Sequence, residues 1–245
     1  MTLWPLLPLV IVTFAAAIVL GTTGFGFGLF STPFFMLLVD PHEAVILSLL
    51  FSFIIMSVML SRREIRENVR HSFVLPLFAF SLLGIPIGAS VLLAIDGQVL
   101  RVGVCCLVIV TSCIMLCRTG VRRKNGILAV AMVGFTSGLL ATSTSLSGTP
   151  VALFATTEEM SKSDFRSSLA AYGWLNMLVS LAMLRVDGLV LDRTLFLTVA
   201  ALPALLIGYW CGSHFFGRLS HSRFSQMVPF LVIAAGLAGL VLTFG

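Results

Sequence analysis

Eight stretches of the chain contain no Asp, Glu, Lys or Arg: Met1 to Val39, Ala44 to Ser61, His71 to Ile95, Val102 to Cys117, Asn125 to Thr157, Ser167 to Leu184, Thr194 to Gly217 and Phe224 to Gly245. Most are close to the roughly 20 residues that a helix needs to cross the hydrocarbon of a bilayer. Hydrophobic residues make up 58% of the sequence and charged residues 10%, far from the balance of a soluble domain. The fold class that follows is all-α and polytopic, with the lipid bilayer as its surroundings, because lipid leaves no backbone group unpaired except at a cost.

The first and fifth stretches are too long for one crossing, and both are interrupted. The first contains GTTGFGFGLFSTP, with Gly21, Gly24, Gly26 and Gly28 ahead of Pro33; the fifth contains ATSTSLSGTP, ending at Pro150. Glycine and proline are the residues least able to keep a helix regular. Irregular backbone at membrane depth is tolerated only where it faces protein or a water-lined cavity.

The two interruptions correspond. Laying Gly21 on Gly138 brings Ser31-Thr32-Pro33 onto Gly148-Thr149-Pro150. Further on, Gly84 and Gly88 match Gly208 and Gly212, each pair at a spacing suited to close helix contact. One integral membrane domain therefore divides into a repeat over 1–120 and a repeat over 121–245. Each has a broken helix or hairpin followed by three transmembrane helices, an arrangement common in secondary transporters. The loops SRREIRENVR and CRTGVRRKNG are rich in arginine and AIDGQ is not, which puts the first two on the cytoplasmic side. RVDGLVLDR, balanced in charge, is then outside, and the basic GRLSHSR inside. This requires the second repeat to be inverted relative to the first. Periodicity leaves open whether each break separates two short crossings or turns a hairpin back midway.

Several chemistries lack support. The five cysteines lie in apolar segments without CxxC spacing, the four histidines form no HExxH, and no GxxxxGK[ST] loop is present. Gly24, Gly26 and Gly28 lack the strand and acidic partner of a dinucleotide site. The expectation is a non-enzyme without cofactor or metal, and without a nucleic-acid partner. The N-terminus has no basic region ahead of its apolar run and is read as mature protein. Association into a homo-oligomer stays open.

Ser31-Thr32-Pro33 and Gly148-Thr149-Pro150 both read as helix beginnings, with proline in the first turn where its missing N–H is tolerated. Helix N-termini attract anions through unpaired amides and the helix dipole. Gly24, Gly26 and Gly28 let an anion approach the backbone beside Phe25. Thr22, Thr23, Ser31, Thr142, Ser143, Thr144, Ser145, Ser147 and Thr149 offer hydroxyls, and Gly148 a second close approach. The competing reading is that the glycines pack helices and the hydroxyls bond their own helix carbonyls. Arg166 is the cation closest to the second break in sequence; it either attracts anions at a cytoplasmic vestibule or pairs with Asp164 at a helix end. No carboxylate lies within an expected membrane interior, so proton coupling through one is unsupported.

GFGFGLFSTPFFMLL, followed by DPHEAVILSLL, the arginine loop and LLGIPIGA, resembles the first half of the TauE/SafE sulfite exporter family; LSGTPVALF and KSDFRSSLAAYGWLNMLVS resemble its second half. The resemblance covers nearly the whole chain, although Gly148-Thr149-Pro150 stands where members often carry Gly-Pro-Pro. It implies a secondary transporter, an exporter or an importer, for a small sulfur-containing anion such as sulfite or sulfoacetate, in a bacterial inner membrane. An anion channel, or a membrane scaffold or enzyme subunit, are the alternatives.

Overall fold

A computed structural model describes residues 6–116, 126–155, 160–186, 188–189 and 192–215. The loops CRTGVRRKNG and GRLSHSR and the last apolar stretch fall largely or wholly outside these residues. The described chain is helical throughout, with no strand: α1 (Leu6–Thr23), α2 (Phe27–Leu38), α3 (Pro41–Ser61), α4 (Arg63–Glu67), α5 (His71–Ala94), α6 (Gly97–Leu116), α7 (Ile127–Thr144), α8 (Gly148–Ala155), α9 (Lys162–Val186) and α10 (Asp192–Phe215). Six of these, α3, α5, α6, α7, α9 and α10, are long and apolar enough to cross a membrane. The protein is an all-α, multi-pass membrane protein.

Both apolar interruptions turn the chain back on itself. Gly208 packs against the Phe14 carbonyl and Gly212 against Ile18, so α10 and α1 run side by side in the same direction. Gly134 and Gly138 of α7 meet Leu77 and Ser81, which makes α7 and α5 parallel in the same way. At one end of the bundle, Pro41 of α3 lies against Gly97, and His42 Nε2 is 3.1 Å from the Ile95 carbonyl oxygen at the close of α5. α10 also starts there, beside Glu43. The other end carries Arg62, Arg63, Arg66 and Arg70 and the start of α9. α1 thus heads toward the arginine end, and α2 returns to the start of α3. α7 leaves the arginine end, and α8 returns to it, where Phe154 stacks on Phe73. The 12 residues of α2 rise about 18 Å and the 8 of α8 about 12 Å at 1.5 Å per residue. Both turns therefore lie deep in the bundle.

Gly84, Gly88, Gly208 and Gly212 sit on the seams that join each hairpin to a long helix. A Cβ at Gly84 or Gly88 would overlap backbone of Phe135 and Leu139 in α7; one at Gly208 or Gly212 would overlap Phe14 and Ile18 in α1. Small residues allow this approach where packing, rather than expulsion of water, holds membrane helices together. The main core cluster fills the space between α1, α2, α3 and α10 with Leu20, Phe27, Phe35, Phe51, Ile55 and Leu205. A second, built on Phe73, Val74, Leu77, Val151, Ala152 and Tyr172, seats α8 against α5 and α9.

Candidate functional site

The two breaks both stop their helices at a residue of positive φ, with different residue types. α1 ends at Gly24, φ 83°, whose N–H donates to the Leu20 carbonyl at 2.7 Å. α7 ends at Ser145, φ 62°, whose N–H donates to Ala141 at 3.0 Å. A left-handed residue is a common helix stop and is usually glycine. Gly26, at φ 90°, then sets the chain into α2.

The breaks touch. A Cβ at Gly28 would overlap the carbonyl oxygen of Ser145 and crowd its hydroxyl, and Gly148 faces the Cβ of Phe25. Around this crossing lies a cavity of about 20 Å³. Leu20 of α1 and Phe25, Gly26, Phe27, Gly28 and Leu29 line it from the first break, and Ser145, Leu146, Ser147, Gly148 and Thr149 from the second; Ser52 and Met56 of α3 and Leu169, Gly173 and Met177 of α9 complete the wall. A space of this size holds about one water, less than a sulfur bearing three oxygens requires.

The chemistry of the cavity is that of two helix starts. The first intrahelical bond of α2 runs from Phe30 N–H to Gly26 O, which leaves the amides of Phe27, Gly28 and Leu29 at an unpaired N-terminus. In the first turn of α8, Thr149 N–H makes only a long 3.5 Å bond to Leu146 O, and Pro150 has no N–H. The Ser145 hydroxyl, buried with its residue 4% exposed, has no hydrogen-bond partner among the described residues. Two positive dipole ends and the Ser145 hydroxyl converge on one small space. That arrangement suits an oxyanion.

Among the residues singled out from sequence, Phe25, Gly26, Gly28, Ser145, Ser147, Gly148 and Thr149 line the cavity. The others lie elsewhere. Gly24 faces Arg166, and the Thr23 side chain is outside the described ones. Thr22 donates to Val19 O at 2.8 Å, Ser143 to Leu139 O at 2.8 Å and Thr144 to Leu140 O at 2.8 Å. The hydroxyl protons of these three point back along their own helices. Thr142 pairs with Ser180 at 2.8 Å. Ser31 corrects the expected helix start: α2 begins at Phe27, so Ser31, Thr32 and Pro33 lie inside it, and Ser31 and Thr32 meet the Ser48 hydroxyl at 3.1 and 3.0 Å. The physical reason is Gly26, whose positive φ starts the helix at Phe27, four residues ahead of Ser31. In the second break no such glycine precedes Gly148, and Pro150 falls in the first turn of α8 as expected.

Arg166 is not paired with Asp164, which lies 3.9 Å from Arg70. It is buried, and its guanidinium donates to Gly21 O at 2.7 Å while its stem packs under Gly24. A cation there complements the negative end of α1. Ser52, Met56, Gly173 and Met177 are cavity residues that sequence reasoning missed, because α3 and α9 are uninterrupted helices and nothing local marks the turns facing the breaks. Trp174 packs, stacked on Phe53 and donating to Ser57 Oγ at 2.9 Å.

The family model described as Sulfite exporter TauE/SafE matches residues 9–239. The chain belongs to this family. The match takes in both breaks and every lining residue of the cavity, and it makes the protein an exporter-type transporter of the TauE/SafE class. No curated protein and no solved structure shows significant similarity to it.

Proposed function

We propose that this TauE/SafE protein is a secondary transporter that moves sulfite, or a small organosulfonate such as sulfoacetate, outward across a bacterial inner membrane. In this reading repeats 1–120 and 121–245 are related by inversion, and the anion binds near the midplane where their breaks cross. The observation that carries the proposal is the convergence of the α2 and α8 N-termini and the unpartnered Ser145 hydroxyl on one cavity. Each helix start contributes roughly half a positive charge. Their first-turn amides, with Ser145, Ser147 and Thr149, supply several donors to the oxygens of one sulfur centre. A buried cation in direct contact would hold the anion more tightly and slow its release; Arg166 acts one layer behind, fixing α1 and adding positive potential.

Hairpins reaching in from opposite ends, and parallel seams of α1 with α10 and α7 with α5, support the inverted relation. The cavity is smaller than the proposed ligand, which favours a carrier that opens and closes over a continuously open channel. Proteoliposomes offered sulfite, thiosulfate, sulfoacetate, taurine and sulfate, with and without ion gradients, test the proposal. Saturable flux of sulfite or sulfoacetate is expected. Flux of none of the five, or unsaturated conductive flux, overturns it.

A further inference from the structure

Two ion pairs at opposite ends of the bundle occupy equivalent positions. Glu43 is the third residue of α3, and its Oε1 lies 3.8 Å from Nε of Arg193 at the start of α10. Asp164 is the third residue of α9, and its Oδ2 lies 3.9 Å from Nε of Arg70, the residue before α5. Each carboxylate sits in the first turn of the helix after a hairpin, and each arginine stands where the next long helix of the other half begins. A second contact backs each pair: Thr194 Oγ1 donates to Glu43 Oε1 at 3.3 Å, and Arg70 N–H donates to Ser168 Oγ at 3.0 Å. Neither pair is placed to hold one half together internally; both tie one half to the other.

Resting on the transport reading above, we propose that these pairs are the latches of alternating access. The Glu43 pair holds the bundle closed at the end where α3 begins, and the Asp164 pair holds it closed at the arginine end. The cavity between them lies deep and admits about one water, as expected when both latches are fastened. A latch must also yield during turnover. Partly exposed ion pairs are weak enough to do so, and both arginines are about half exposed, at 55% and 46%. The latches are unequal: Glu43 is 7% exposed and Asp164 is 27% exposed. The better-buried pair is the harder one to break, so the arginine end opens more readily.

The test uses a full-length protein with its native cysteines replaced by alanine and a reporter cysteine at Ser52 on the cavity wall, reconstituted in vesicles. A membrane-impermeant maleimide is added from either side. Glu43→Gln and Arg193→Gln should raise labelling from the α3-start side alone, and Asp164→Asn and Arg70→Gln from the arginine side alone, each by about 1.5- to 5-fold. The charge-exchanged doubles, Glu43→Arg with Arg193→Glu and Asp164→Arg with Arg70→Asp, should return labelling toward the parent level. Unchanged labelling, or a rise from the same side for both pairs, overturns the proposal. If the Glu43 variants do not fold, the exposed Asp164 pair decides: a folded Asp164→Asn protein with parental labelling refutes the latch. The labelling requires no substrate. Side-dependent labelling without sulfite or sulfoacetate flux would reject the substrate assignment and uphold the latches.

Discussion

The two breaks meet at one point but are made from different materials. The first relies on glycine: Gly24 and Gly26 take positive φ without a Cβ to oppose it, and Gly28 leaves room for its neighbour. The second relies on a serine, Ser145, which adopts the left-handed conformation at a steric cost of about 1–2 kcal/mol that glycine would not incur. What the second break keeps in return is a hydroxyl, held at the cavity without a partner among the described residues. The comparison separates two requirements: one break makes room and the other offers a donor.

The largest expected effect tests the room-making side. Gly28→Ala places a methyl group on the Ser145 carbonyl, an overlap with backbone that cannot be relieved by a rotamer change. Overpacking of this kind costs about 1–3 kcal/mol or more, and thermal unfolding in detergent should show a marked loss of stability. A Gly28→Ala protein with parental stability would mean that the breaks do not touch. Arg166→Ala follows. It removes a charge-assisted bond to Gly21 O, worth about 1.5–3 kcal/mol, and should lower stability, with Arg166→Lys recovering part of it. Parental stability combined with weaker anion capture would instead assign Arg166 to steering.

Smaller effects sharpen the donor side. Ser145→Ala should weaken sulfite binding by about 1 kcal/mol, several-fold in affinity, as for loss of one neutral hydrogen bond. Ser145→Gly should show the same loss of affinity but a gain in stability of up to about 1 kcal/mol, because the backbone strain is relieved. Opposite signs for stability and affinity at one residue would be hard to obtain from a purely structural serine. Thr144→Ala should have the smallest effect on binding, within about twofold, since its hydroxyl already donates to Leu140 O and it does not line the cavity. Titration of the purified variants measures all three.

Much of the fold was legible because its signals are local. Charge-free length marks a crossing, and the paired glycines at 84, 88, 208 and 212 mark helix contacts without knowledge of the partner helix. The site was legible in outline, since two glycine- or hydroxyl-rich interruptions ending in proline are visible by inspection. Its details depend on contacts distant in sequence. Thr32 and Thr149 are aligned positions, yet a single positive-φ residue, Gly26, moves Thr32 into the middle of its helix. The Thr142–Ser147 run looks like a bank of equivalent donors. Which of them turn back to their own carbonyls is decided by side-chain rotation, which composition does not encode. Arg166 reads as an anion-attracting cation or a partner of Asp164 because it stands near a helix start; its contact with α1, far away along the chain, is not encoded locally.

The parallel seams have a consequence for how the protein is made. Phe14 and Ile18 present a strip of helix backbone against which Gly208 and Gly212 pack, and α10 leaves the ribosome long after α1. At about 5–20 residues per second the delay is on the order of 10–40 s. During that time the first hairpin lacks the helix against which its seam packs. A ribosome stalled before α10 would thus release a chain whose first half is complete in sequence and still unable to close.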